Sequence, residues 1–170
     1  AYRIRKEVNP DLVLGGVLIP ERHMKSPDEH LRIIEKIEKG CRYFISQAVY
    51  NVEAAKDFLS DYYYHCKKNN INMVPIIFTL TPCGSTKTLE FMKWLGISIP
   101  RWLENDLMNS EDILNKSVSL SKSIFGSLMD FCGEKRIPIG CNIESVSVRK
   151  VEIEASISLA KDIKTMMKDL

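Results

Sequence analysis

Short apolar runs alternate along this chain with longer amphipathic ones, and no other feature restricts the fold as much. The alternation is that of βα units arranged around a parallel sheet. Four units can be read, with strands expected near residues 12–19, 43–50, 73–80 and 137–144. The first strand, Leu12 to Ile19, is almost continuously apolar, as expected where both faces of a parallel strand are covered, and Pro20 stops it. The next helix is expected to start at Ser26-Pro27-Asp28-Glu29, with Ser26 as N-cap, Pro27 at N1 and Glu29 closing a capping box. Leu31, Ile34 and Ile37 form its predicted core stripe, and Gly40 its left-handed C′ residue.

Asn51 can cap the second helix, whose predicted buried face is Ala54, Ala55, Phe58, Leu59, Tyr62 and Cys66. The third and fourth strands each carry a proline near the start, Pro75 and Pro138, where it costs least. Between them lies a long excursion. It holds a short helix near Thr88 to Leu95, where Met92 and Trp94 read as packing, and then the segment Pro100-Arg101-Trp102-Leu103. A long helix capped at Ser110-Glu111-Asp112 follows, with Leu114, Val118, Ser121, Phe125, Leu128 and Cys132 on one face and Gly133 at its end. A last helix begins near Lys150. Four such units fit either half of an eight-stranded barrel or a small doubly wound sheet. A complete barrel takes about 250 residues, so a half-barrel of 170 leaves two strand edges to be paired by a missing N-terminal half or a partner subunit.

Charge and composition narrow the function. With 24 basic and 22 acidic residues dispersed along the chain, there is no basic stripe to neutralise a phosphate backbone, and nucleic acid is not expected as a partner. No apolar run approaches the roughly 18 to 20 residues of a membrane span, and Ala1-Tyr2-Arg3-Ile4-Arg5-Lys6 has no apolar leader segment behind its charges, so a soluble, cytoplasmic protein is expected. Five scattered cysteines, none in a C-x-x-C pair, read as reduced thiols; a zinc site would need clustered ligands, and no metal is expected.

In a parallel sheet, function collects beyond the C-terminal strand ends. Glu21 and His23 stand there after the first strand, Gln47 and Tyr50 after the second, Thr79 to Lys87 after the third, and Asn142, Glu144 and Ser145 after the fourth. Gln47 and Glu144 are polar where a strand would otherwise stay apolar; if buried, each must be hydrogen-bonded, by the protein or by a ligand. The loop Thr81 to Thr88 looks like a phosphate loop but has Thr86 where glycine must precede Lys87, so it reads as an ordinary strand-to-helix loop with a capping hydroxyl. His23 reads as a solvent-facing loop histidine, with no Cys or Asp arrangement near it in sequence.

Three segments carry a family resemblance: Ile19-Pro20-Glu21-Arg22-His23, Phe44-Ile45-Ser46-Gln47, and Phe91 followed by Gly96-Ile97-Ser98-Ile99-Pro100 and Trp102. With them the chain resembles the methylenetetrahydrofolate reductase family from Asp11 to about Lys164. The resemblance implies an α/β fold, the (β/α)8 TIM barrel, of which this chain supplies strands five to eight. It also implies reduction of 5,10-methylenetetrahydrofolate to 5-methyltetrahydrofolate by hydride transfer, with FAD and NAD(P)H as cofactors. Gln47 then matches the glutamine that binds the pterin and Phe91 the ring that stacks on the aminobenzoate. Lys87 takes the place of a second substrate-binding glutamine, while His23 and Lys36 match contacts to the ribityl and phosphate part of the flavin. Glu144 replaces a family aromatic and reads as a polar contact or catalytic acid at the site. Ile19 replaces a tyrosine, and Glu35 beside Lys36 would repel a phosphate; these departures weigh against retention of the flavin. Self-association is expected, and the alternative to an enzyme is a folate-binding or assembly module that has lost catalysis.

Overall fold

Four strands pair in parallel, in the order in which they occur along the chain, so every connection between neighbours is a crossover carrying helix. The structure is a computed structural model and describes residues 2–168. Ala1, the first residue of the stretch without an apolar leader, lies outside the described residues. In chain order the elements are α1 (Tyr2–Val8), β1 (Leu14–Leu18), a 3-10 turn (Pro20–Arg22), α2 (Glu29–Glu38), β2 (Cys41–Ala48) and α3 (Val52–Asn69). There follow β3 (Ile76–Leu80), α4 (Thr86–Trp94), α5 (Arg101–Met108), α6 (Ile113–Lys135), β4 (Ile139–Ile143) and α7 (Lys150–Met166). All four predicted strands are present, each shorter than its apolar run except β2, and β3 and β4 begin directly after Pro75 and Pro138. The sequence pattern does not announce α1, because its Ile4 and Val8 are exposed and give it no buried stripe.

The core lies on one face of the sheet. Leu18, Phe44, Ile76, Phe78 and Leu80 pack there against Ile33, Phe58, Leu59, Phe125, Leu128, Leu159 and Ile163 from α2, α3, α6 and α7. Alternate positions along the strands, among them Val17, Ile45, Ile77 and Gly140, point to the other face and stand outside this core. Val17 is 63% exposed. The expected covering of both faces of the first strand is therefore corrected: the helices that pack on the sheet lie on a single side, so Val13 and Val17 are left open. A second apolar cluster, built on Tyr50, Cys83, Leu89, Met92, Leu103 and Leu107, seats α4 and α5 over the C-terminal ends of β2 and β3.

Most helix boundaries follow their local signals. The Asn51 side chain accepts from the Ala54 amide at 3.2 Å and opens α3, whose buried face is the predicted one. Gly40 follows α2 in a left-handed conformation, φ 98°. Ser85 and Asp112 accept from the amides of Thr88 and Asn115 to cap α4 and α6. Four expectations need correction. Ser26 is not the cap of α2, which begins after Asp28; Glu29 is fully buried and directs Oε1 away from the cap region, to the amide of Ile19 at 2.9 Å. Leu31 is exposed because α2 turns Ile33 and Ile34 to the core. Gly133 does not end α6, which continues to Lys135 and stops at left-handed Arg136, φ 53°. Trp94 is 78% exposed and not packed in the core.

The loop that looks like a phosphate loop is held by the chain's own carboxylate. Glu152, fully buried on α7, accepts from the Gly84 amide at 3.1 Å, from the Thr88 hydroxyl at 3.1 Å and from Arg149 at 3.3 Å. A Cβ on Gly84 would stand 2.5 Å from Glu152 Cγ, so the approach requires glycine. Ser117 of α6 completes the anchoring by accepting from the Cys83 amide at 2.8 Å. Replacing Glu152 with alanine leaves the part-buried Gly84 amide unpaired and the Thr88 hydroxyl with Ser85 alone; urea denaturation is expected to show a loss of about 1–3 kcal/mol. An unchanged denaturation midpoint would remove Glu152 from the scaffold.

Candidate functional site

The parallel arrangement brings all four C-terminal strand ends to one edge, and two clefts open there. The first, of about 360 Å³, is lined by Ile19, Glu21, Arg22 and Lys25 from the turn after β1, by Gln47 of β2, and by Leu95, Gly96 and Ser98 after α4. Gln47 is half-buried, and its side-chain amide makes no hydrogen bond with the described residues, so both its donor and its acceptor are available to a ligand.

Glu21 is the unusual group in this cleft. Pro20 fixes the start of the 3-10 turn, which folds the Glu21 side chain inward until only 7% of the residue is exposed. Neither carboxylate oxygen has a hydrogen-bond partner. Burial pushes its pKa up from 4.5 to about 7, while backbone groups of Glu21, Tyr50 and Asn51 pull the other way without completing a normal hydrogen bond. A residue whose buried carboxyl exchanges its proton near neutrality therefore shares the cleft wall with an unengaged amide.

The second cleft, of about 500 Å³, lies on the other side of α4 and is lined by Ser85, Lys87, Thr88, Phe91 and residues 146–149. Phe91 is 44% exposed and stacks on Trp94, ring centroids 5.7 Å apart and 16° from coplanar, which presents a flat aromatic surface. Thus the structure brings Phe91 and Lys87 together and sets Gln47 apart from them, with α4 between the two clefts. Glu144 lies at the end of β4, is exposed, and accepts from Asn142 Nδ2 at 2.8 Å; Asn142 also donates to Thr79 Oγ1 at 3.2 Å. Glu144 lines neither cleft.

His23 and Lys36 are engaged elsewhere. The expectation of a solvent-facing His23 is corrected: it is 5% exposed, lies against Phe58, and bonds through Nε2 to Asp61 of α3 at 3.0 Å. Asp61 is distant in sequence, so only the packing of α3 against the turn reveals the pair. Lys36 donates to the Val17 carbonyl at 2.6 Å, and Glu35 is ion-paired with Lys39. His23 and Lys36 thus each have one internal partner, while His23 Nδ1 has none and the Lys36 ammonium keeps further donors. Sequence reasoning placed Glu21 at a strand end without giving it a role, and passed over Arg22, Lys25 and Ser98; the Pro-Glu pair at the strand end was the available signal.

The five cysteines are all free, and burial raises Cys83 to about 11 and Cys132 and Cys141 to about 12. Among the described residues no helix is long and apolar enough to cross a membrane.

Comparison with known proteins gives two findings. The family model for methylenetetrahydrofolate reductase matches residues 2–129. A solved structure of an uncharacterized protein from Clostridium thermocellum that binds two copies of 5-methyl-5,6,7,8-tetrahydrofolic acid is 85% identical and superposes with a TM-score of 0.92. The alignment covers 97% of this chain and 58% of that one, so the chain spans little more than half of its neighbour's length. No match is found among curated proteins.

The buried Glu21 sets a pH dependence. Because its folded pKa lies above its unfolded value, the native state holds the extra proton; stability is fully present below pH 4.5 and is lost as pH rises through about 7. Glu21→Gln is therefore expected to match the parent near pH 4 and to exceed it by up to about 3 kcal/mol at pH 8. Parallel stability profiles for the two proteins between these limits would show that Glu21 is not the titrating group.

Proposed function

The chain belongs to the methylenetetrahydrofolate reductase family, and on that premise we propose that it is the folate-holding half of a (β/α)8 barrel, supplying strands five to eight. The observation that carries this reading is the Gln47 amide, unengaged in a cleft beside the unpartnered carboxyl of Glu21. A pterin presents a flat edge of alternating donors and acceptors, and an amide can meet both kinds. Glu21 offers the donor part of that edge a carboxylate. The exposed Phe91 face is suited to stacking on the aminobenzoate ring, and Lys87 beside it to the glutamate carboxylates. Binding of 5-methyltetrahydrofolate by the neighbour at 85% identity supports the same ligand class here.

Reduction of 5,10-methylenetetrahydrofolate is the activity we assign to the complete protein. Hydride from a nicotinamide donor adds to the methylene carbon, the bond from that carbon to N10 breaks, and N10 takes a proton. Within this chain Glu21 is better placed than Glu144 to hold or release a proton near the folate, because it shares the Gln47 cleft. The open face and unpaired edges of the sheet fit closure by four further strands, from the same polypeptide or a partner subunit.

Calorimetric titration of the full-length protein with 5-methyltetrahydrofolate tests the binding. Gln47→Ala is expected to weaken it by about 1–3 kcal/mol, and Phe91→Ala by about 1 kcal/mol through lost stacking. Unchanged affinity in Gln47→Ala would take the pterin out of this cleft. Formation of 5-methyltetrahydrofolate from the methylene substrate and a nicotinamide donor marks the reductase; binding without turnover marks the folate-binding module.

A further inference from the structure

The chain contains three histidines, and the fold gathers all of them into one place. His23 follows the 3-10 turn, His30 lies in the first turn of α2, and His65 lies in α3 one turn beyond Asp61. His23 and His30 meet edge to face with ring centroids 5.4 Å apart, and His30 and His65 do so at 5.5 Å. One ligand atom each from His23, His30 and Asp61 falls within 4.8 Å of the other two. The closest pair, His23 Nε2 and Asp61 Oδ2, is separated by 3.0 Å. Two ligands on one tetrahedral zinc ion, with bonds of about 2.0–2.1 Å, stand about 3.3 Å apart, so this pair already has nearly the required spacing.

Two further observations point to a ligand. His23 is 95% buried by its 5% exposure, yet its Nδ1 has no partner, and the buried Nδ1 of His30 is likewise unpartnered. His23 presents Nε2 to Asp61 and carries its open Nδ1 on the far side of the ring, so the open nitrogen that can complete the set is that of His30. A hollow of about 370 Å³, lined by His23, Met24, Pro27, Asp57, Ser60 and Asp61, gives access from solvent.

We propose that His23, His30 and Asp61 form a binding site for a divalent transition-metal ion of the zinc class. Two imidazoles and one carboxylate make a three-ligand set that leaves a fourth position open, here toward the hollow, with His65 behind His30 as its support. The ion ties the turn after β1 to α2 and α3. Since the same turn carries Glu21 and Arg22 of the Gln47 cleft, metal binding holds one wall of that cleft in place. The imidazole it uses is the one that the family resemblance points toward a flavin. The site stands on its own geometry and does not depend on the folate reading.

The test is a titration of chelator-treated, full-length protein with Zn²⁺ and, separately, with Co²⁺. One ion per chain is expected, and the Co²⁺ form should show visible ligand-field bands without thiolate charge-transfer absorption, since no cysteine belongs to the set. His30→Ala and Asp61→Asn should each weaken binding at least about tenfold, whereas Cys41→Ser and Cys141→Ser should leave it unchanged. Asp61 is exposed, so its amide variant keeps the fold and the test survives even if His30→Ala does not. Absence of stoichiometric binding, a thiolate spectrum, or an Asp61→Asn variant that binds as tightly as the parent would each overturn the proposal.

Discussion

Packing of the core helices against a single face of a parallel sheet is the constraint from which the rest of this structure follows. Parallel pairing without reversal puts every C-terminal strand end at one edge, and a one-sided helix layer leaves the opposite face bare. The functional groups collect at that edge because the backbone there turns away from the ladder and frees room for side chains. Gln47, Thr79, Asn142 and Glu144 are all products of this placement.

Three buried glutamates show how the same chemistry is put to different use. Glu29 satisfies the Ile19 amide at the end of β1, and Glu152 binds three donors that hold the loop before α4. Both serve the scaffold. Glu21 completes no hydrogen bond through either oxygen, although backbone groups of Tyr50 and Asn51 lie near, which burial makes costly, and the residue lines a cleft. A buried carboxyl left unsatisfied where a neighbouring amide is also unengaged is best understood as a group that a ligand completes. The family to which the chain belongs, and the folate bound by its close structural neighbour, supply the chemistry that such a ligand would have.

Legibility varied by element. The face of α3 from Ala54 to Cys66 could be read residue by residue, because a long helix with a strict apolar stripe and an Asn cap leaves little choice. The start of α2 could not: Ser26, Pro27, Asp28 and Glu29 are each competent near a helix N-terminus, and the outcome turned on Glu29 finding the Ile19 amide. At the site, Gln47 was visible as a polar residue at an apolar strand end, and it is in the cleft. His23 was misjudged because its partner Asp61 lies on another element, and the spread of Gln47, Phe91 and Lys87 over two clefts depends on where α4 settles.

By itself, then, the sequence determined the four strands and the helices between and after them apart from α1 and α5, the parallel sheet, the helix caps of α3, α4 and α6, and the family, since these rest on periodicity and short motifs that act within a few residues. Only the tertiary structure decided which face of the sheet stays open, which carboxylates are satisfied, and that His23 and His30 gather at Asp61 with His65 against His30. Those outcomes depend on contacts between residues far apart in the chain, whose distances no local pattern encodes.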